Sequence, residues 1–349
     1  MAKITKIALT GAPCSGKTSI VERLAADFYT ENRDVLICPE SAYEVIASGV
    51  DRDDYLAFET LVAKKQLENE AEILKKAEQS KKDEVVVIYD RGITDCFSYV
   101  DDKIALAENI GMNVVDSWAR YDALIVLETA PESEYFSTSA RIETYKEALE
   151  YQKRLLDVSV GHSHLRYVKN ESTFDEKYSA CRAEIESILS GYEIEKKFLI
   201  EYPDLASLEK YNPFKAEISQ TYLLCAVGSH RIRKRGSNGT FTYFETLKIR
   251  VTGSCAEETE SIISKQQYDE LMKSADPDKN TIVKDRYCFL YDGQYFELDV
   301  FRFWDDRAFL ELELKSENQS FKLPPEIKVI EDVSDDFHYK NSYLAGLKL

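Results

Sequence analysis

Ile4-Thr5-Lys6-Ile7-Ala8-Leu9-Thr10-Gly11-Ala12-Pro13-Cys14-Ser15-Gly16-Lys17-Thr18 decides how the chain begins to fold. Ile4–Thr10 is a short apolar run of strand character, and Gly11 to Thr18 satisfy GxxxxGK[ST], with a helical pattern following. That order of strand, glycine-rich turn and helix is the context the motif needs. Successive backbone N–H groups of Gly11, Ala12, Pro13, Cys14, Ser15 and Gly16, proline excepted, can turn inward onto phosphate oxygens. The helix N-terminus adds its positive dipole end. Lys17 supplies a mobile cation and Thr18 a hydroxyl for Mg²⁺. The expected ligand of this loop is ATP or GTP.

Further apolar runs follow at Val35–Cys38, Val85–Tyr89, Ala123–Leu127 and Leu165–Val168, with helical patterns such as Asp54–Gln79 and Phe174–Leu189 between them. Strands separated by helices predict a parallel α/β sheet with flanking helices. Val85-Val86-Val87-Ile88 is apolar at every position, as for a strand covered on both faces. Asp90 closes that strand, where a carboxylate can reach Mg²⁺ or cap the next helix. Arg91 follows it. Glu40, just beyond the second strand, is read as a catalytic carboxylate, with helix capping the alternative. Arg141 is read as a phosphate clamp, the alternative being an ion pair with Glu143 or Glu147. Asn170 is read as a base contact or a turn residue.

Ser190-Gly191 marks a seam, since glycine ends helices well. It divides the chain into expected domains 1–190 and 191–349. Beyond it the period changes from 3.6 to 2. Strands are expected at Glu193–Ile200, Glu217–Ala226, His230–Arg235, Thr242–Val251, Thr281–Tyr291, Tyr295–Phe303 and Ala308–Leu314, with turns at Ser237-Asn238-Gly239 and Asp292-Gly293. Charges recur at alternate positions: Glu193, Glu195 and Lys197; Arg231, Arg233 and Arg235; Lys248 and Arg250; Lys284 and Arg286; Glu297 and Asp299; Glu311 and Glu313. Residues two apart share one face of a strand. Rows of like charge on one face repel unless something of opposite sign lies among them. Basic rows around a polyanion and acidic rows around a metal satisfy that condition.

The N-terminal half resembles P-loop domains of the AAA type and, in Asp90-Arg91, nucleotide kinases. Glu193-Ile194-Glu195-Lys196-Lys197 and the ordered rows after it resemble the CYTH family of triphosphate tunnel metalloenzymes. The resemblance implies an antiparallel eight-stranded β tunnel with some helices. It implies Mg²⁺ or Mn²⁺ on Glu193, Glu195, Glu311 and Glu313, assisted by Glu297 and Asp299. It implies triphosphate on Lys197, Arg231, Arg233, Lys248, Arg250, Lys284 and Arg286, with Glu193, Glu195 and Lys197 catalytic. The histidine that precedes the motif in the cyclase branch is replaced by Ser190-Gly191-Tyr192, which argues against cyclisation. The fused order resembles the TRPL translocation defect protein family, which implies GTP and phosphoinositide binding. Three activities are therefore expected: a metal-dependent triphosphatase with a nucleotide-binding domain, a nucleotide-regulated polyphosphate- or headgroup-binding protein, and a P-loop kinase with an accessory barrel.

The net charge of −18 over 349 residues argues against a nucleic-acid partner. No apolar run is long enough to cross a bilayer and no leader pattern opens the sequence, so a cytoplasmic protein is expected. The seven cysteines form no CxxC pair, which argues against a structural zinc site.

Overall fold

The computed structural model describes residues 2–50, 54–136, 143–191, 194–237, 239–252, 255–316 and 318–347, without the side chains of 249–252 and 255–259. The chain divides into two compact units, Met1–Glu193 and Ile194–Leu349.

The first unit is built on β1 (Lys3–Gly11), β2 (Arg33–Cys38), β3 (Glu84–Asp90), β4 (Ala123–Leu127) and β5 (Leu165–Val168). They form one parallel sheet in the order β2-β3-β1-β4-β5. Its helices are α1 (Lys17–Phe28), α2 (Ser41–Ala47), α3 (Tyr55–Glu78), α4 (Ile93–Tyr99), α5 (Lys103–Ile110), α6 (Val114–Trp118), α7 (Tyr145–Ser159) and α8 (Phe174–Ser190). Ile7, Leu9, Val86, Ile88, Ile125 and Leu127 are buried in a core that α1 and α8 help to cover. A strand covered on both faces loses its alternation, which is why these segments read as unbroken apolar runs. Local chemistry sets the helix ends. The Asp54 carboxylate accepts from Ala57 N at 3.0 Å at the start of α3, Thr173 and Glu176 form a capping box on α8, and Gly191 ends α8 with φ 69°.

The second unit holds β6 (Ile194–Glu201), β7 (Phe214–Leu223), β8 (Ser229–Ser237), β9 (Thr240–Thr252), β10 (Cys255–Ile263), β11 (Ile282–Tyr291), β12 (Gln294–Phe301), β13 (Arg307–Leu314) and β14 (Val329–Asp332). Its helices are α9 (Leu205–Leu208), α10 (Lys265–Leu271) and α11 (Asn341–Leu344). The strands run antiparallel in the order β10-β9-β8-β7-β11-β12-β13-β6-β14. Among the described residues the sheet therefore has nine strands where eight were expected. The ninth, β14, is four exposed residues, too short to show a period. Asp292 (φ 49°) and Gly293 (φ 77°) make the two-residue turn between β11 and β12, as their identities predict. Alternate residues of β6, β12 and β13, including Phe198, Leu298, Leu310 and Leu312, pack into one apolar core. The intervening residues form the other face, where the charged positions adjoin a second apolar cluster that includes Leu199, Phe301 and Phe309. Among the described residues, no helix is long and apolar enough to cross a membrane.

Candidate functional site

In the first unit the site lies at the carboxyl ends of the parallel strands, where loops converge. Register sets Leu9 beside Asp90 and Gly11 beside Leu127. The turn from β1 to α1 admits no larger residue at Gly11: a Cβ there would lie 2.4 Å from Ser15 Oγ and 2.9 Å from the Leu127 carbonyl. Gly16 has φ 81° and Cys14 φ 64°, the left-handed conformations that turn successive amides to one side. No side chain caps α1, so its first N–H groups keep their hydrogens for another acceptor.

Lys17 is 6% exposed and donates to Glu40 Oε2 at 3.0 Å and to Asp90. Burial, together with the charge of Arg91, lowers its amine to about 8 against the pull of Glu40. Glu40 occupies the N-cap position of α2, yet its side chain makes no capping bond. Its carboxylate instead takes Lys17 and the Arg91 Nε–H at 2.8 Å. Burial alone would raise Glu40, but Arg91 and Lys17 hold it at about 2. Asp90 does not cap α4, whose N-cap is Gly92. Arg91 has φ 72°, a conformation that costs a residue with a Cβ about 1 kcal/mol or more and that persists where surrounding contacts enforce it. Thr18 is exposed at the rim of the same cleft.

Three further residues complete this site. Asp95 is 2% exposed and accepts from the Thr10 hydroxyl at 2.6 Å. Burial raises it to about 6, although Arg91 and Thr10 oppose the change. Glu59, on α3, is 6% exposed, and burial pushes it up to about 8. Lys177, on α8, donates to the Ser15 carbonyl at 2.9 Å, to the Glu128 carbonyl, and to Asn170 Oδ1 at 2.8 Å. It braces the phosphate loop from behind. Asn170 is engaged in that brace and donates to the Thr129 carbonyl at 2.6 Å, which favours its reading as a turn residue. Arg141 lies outside the described residues.

In the second unit the alternating charges whose side chains are described share one face of the sheet, as their spacing requires. Arg286, on β11, reaches three acids on two neighbouring strands. It donates from Nε to Asp299 Oδ1 and from Nη2 to Asp299 Oδ2, each at 2.6 Å, from Nη2 to Glu311 at 2.7 Å, and from Nη1 to Glu297. Lys284 also donates to Asp299. Both oxygens of Asp299, fully buried, are thus engaged in orienting the two cations. Lys197 lies 2.8 Å from Glu311 and over the Phe309 ring. Against the cost of burial, Lys197 and Arg286 hold Glu311 well below the usual carboxylate range.

The register sets acid against acid twice: Glu195 opposite Glu313, and Glu297 opposite Glu311. Like charges directly across a strand pair are unfavourable. Arg286 relieves the second pair. At Glu195 enclosure and the charge of Glu311 push the carboxyl up to about 8, although its residue is open to the interior face. Among the described residues, no three His, Cys, Asp or Glu side chains converge as a ready ligand set; Glu193 lies outside them. The donors nevertheless fit a hard divalent cation, because the first acid pair offers only carboxylate oxygens.

Facing these acids is β8. Arg231, Arg233 and Arg235 alternate with buried Ile232, which packs on Leu223 and on Tyr268 of α10. Arg233 donates to Glu260 at 2.9 Å, and burial together with Arg231 and Arg286 lowers its pKa, Glu260 notwithstanding. Arg235 donates to Cys288 Sγ at 3.8 Å. Lys248 is exposed on β9 opposite Ser229. Arg250 lies on the same strand, its side chain outside the described residues. Glu260, the acid on the basic side, carries no motif: it sits in the run Glu257-Glu258-Thr259-Glu260, which lacks apolar alternation.

Residues 6–177 match the AAA domain family, and residues 191–329 match the CYTH domain family. No curated protein matches the chain. Among solved structures, the chain is similar to the inorganic triphosphatase NE1496 at 32% identity, over 45% of this chain and 95% of that one, with a TM-score of 0.34. It is similar to the PH1012 protein from Pyrococcus horikoshii OT3 at 21% identity, over 35% of this chain and 78% of that one, with a TM-score of 0.27.

Proposed function

For a chain that joins an AAA-type P-loop domain to a CYTH domain, we propose a nucleotide-binding protein whose C-terminal unit hydrolyses a triphosphate, inorganic or organic. One observation carries the second half of this reading. The interior face of the sheet sets three alternating arginines on β8 against two cross-strand acid pairs on β6, β12 and β13. Orienting Arg286 and Lys197 accounts for Glu297 and Glu311; the other pair, Glu195 and Glu313, goes beyond what a purely anion-binding face requires.

In this reading Arg231, Arg233, Arg235 and Lys248 hold phosphate oxygens, arginine forks accepting them two at a time. Arg286, Lys284 and Lys197 are already oriented by Asp299, Glu297 and Glu311. They present fixed positive charge where charge grows as a terminal phosphate leaves, so little reorganisation is needed during reaction. Mg²⁺ or Mn²⁺ on Glu193, Glu195, Glu311 and Glu313 would neutralise phosphate charge and lower the pKa of a bound water. Glu297 and Asp299 support that set by holding Arg286. In the first unit, ATP or GTP would bind Gly11 to Thr18, with Mg²⁺ near Thr18 and Asp90.

The test is phosphate release from tripolyphosphate, ATP and GTP with Mg²⁺ or Mn²⁺, comparing the wild type, Lys17→Ala and Glu195→Gln/Glu311→Gln. Tripolyphosphate hydrolysis is expected to survive in Lys17→Ala and to vanish in the double variant. Tight tripolyphosphate binding with no release above buffer would replace the hydrolase with a polyphosphate- or headgroup-binding protein.

A further inference from the structure

The cleft of the first unit extends beyond its phosphate loop. It encloses about 860 Å³, and its lining includes Glu40, Glu59, Arg91, Asp95 and Tyr99 besides Gly16 and Lys17. Its floor is polar and buried, with Glu59 at 6% and Asp95 at 2% exposure. Its rim is aromatic and open: Tyr43, Tyr55, Phe136 and Phe174 are 59%, 54%, 62% and 43% exposed. Exposed aromatics gathered at one polar-floored cleft mark a site for a flat organic molecule.

Two atoms on that floor ask for a ligand. Asp95 Oδ1 and Arg91 Nη1 are buried and have no hydrogen-bond partner among the described residues. They stand on adjoining groups, Arg91 Nη1 lying 3.7 Å from the other Asp95 oxygen. A buried polar atom left without a partner costs about 1–3 kcal/mol. The phosphates held by the loop cannot meet the need at Asp95, because phosphate donates nothing and the ionised carboxylates of Glu40 and Asp95 repel it. A hydroxyl group donates and accepts, and so serves both atoms.

We propose that this cleft binds an uncharged, ring-bearing alcohol beside the nucleotide, and that the chain transfers the terminal phosphoryl group of a nucleoside triphosphate to its hydroxyl. This rests on the reading of Gly11 to Thr18 as a triphosphate site. The hydroxyl oxygen bonds to the γ-phosphorus. The bond from that phosphorus to the β–γ bridging oxygen breaks, and its electron pair leaves with the nucleoside diphosphate. The hydroxyl proton passes to Glu40 and from there to solvent. Glu40, held at about 2, stays ionised and orients the hydroxyl; in a loose transition state the proton leaves late, so a weak base suffices. Glu59, raised to about 8 by burial, carries a proton at neutral pH and can donate to a ring heteroatom. Among the described lining residues the cations are Lys17 and Arg91, and Arg91 is committed to Glu40. An acceptor that already bears a phosphate must therefore compete with the donor and with Glu40 for these two cations.

The probe is a panel of ribo- and deoxyribonucleosides with their 5′-monophosphates, incubated with the full-length protein, Mg²⁺ and γ-³²P-labelled ATP or GTP. Label in an organic product is separated from label in inorganic phosphate, so hydrolysis elsewhere in the chain does not interfere. The expected result is a labelled product from a nucleoside, none from its monophosphate, and one diphosphate formed per product. Glu40→Gln should lower kcat by about 100-fold or more while donor affinity changes little. Tyr43→Ala, at the exposed rim, should raise the acceptor KM and spare kcat. Donor binding with label in inorganic phosphate alone would overturn the acceptor site and leave the nucleotide site standing. Absence of donor binding would overturn both.

Discussion

In the first unit, anion binding is built from backbone; in the second, from side chains. The loop between β1 and α1 offers N–H groups fixed by two left-handed residues and brings one lysine. The interior face of the C-terminal sheet offers arginines and lysines from four strands, most of them already engaged with acids. Backbone donors carry no net charge, so their assembly needs no counter-ion. Side-chain cations must be held apart from one another, and the acids of β12 and β13 do so. The second design is the more fragile, because removing any one charge leaves a partner buried and uncompensated.

That contrast can be broken most sharply at Arg286. Arg286→Ala strands Asp299, Glu297 and Glu311 without their shared guanidinium. The second unit should lose about 3–5 kcal/mol of stability in urea unfolding. Tripolyphosphate turnover should fall below detection while the first unit still binds nucleotide. A loss under 1 kcal/mol would mean that the acid cluster tolerates its own repulsion.

A smaller effect is expected at Lys17. Lys17→Ala should weaken ATP and GTP binding by about 100-fold, or about 2.7 kcal/mol. The backbone cradle should persist, so measurable binding should remain in a fluorescence titration. Complete loss would show that the lysine, rather than the amides, does most of the holding.

The smallest effect is a slope. Glu59 titrates near 8 in the folded chain, above its ordinary 4.5. The folded state therefore binds more protons between those values, and stability falls as pH rises from about 4.5 to about 8. Glu59→Gln should flatten that fall, gaining on the order of 2 kcal/mol at pH 8 relative to pH 5. A wild type whose first unfolding transition is independent of pH over this window would refute the buried-acid assignment.

Much of this architecture was legible because its signals are short-range. The phosphate loop is eight consecutive residues; Gly11 is required by contacts with Ser15 and the neighbouring strand, and Gly16 by its left-handed backbone. The charge rows were legible because a two-residue period puts each row on one face wherever the strands pair. The rest depended on information that separated residues share. Strand β10 was not legible because Glu257-Glu258-Thr259-Glu260 lacks apolar alternation. Lys177 reads as an ordinary helix lysine until α8 places it behind Ser15. Glu59 sits among the alternating charged and apolar residues of α3, and only packing reveals that its carboxyl turns inward; Asp95 sits on α4, which is buried from Ile93 to Ser98. Asp299 matched its row but differs in what it touches: both its oxygens face cations, which spacing alone does not foresee.

Strand β14 closes one end of the sheet order with Val329, Ile330, Glu331 and Asp332, all exposed. A sheet margin is a template on which another molecule can add a strand. Here the template is brief and half acidic, and the whole chain carries a charge of −18. Copies should repel one another in dilute buffer and lose that protection once salt shortens the reach of their fields. The colloidal behaviour of concentrated solutions is thus written at this margin: salt, rather than protein concentration alone, should govern when molecules begin to stick.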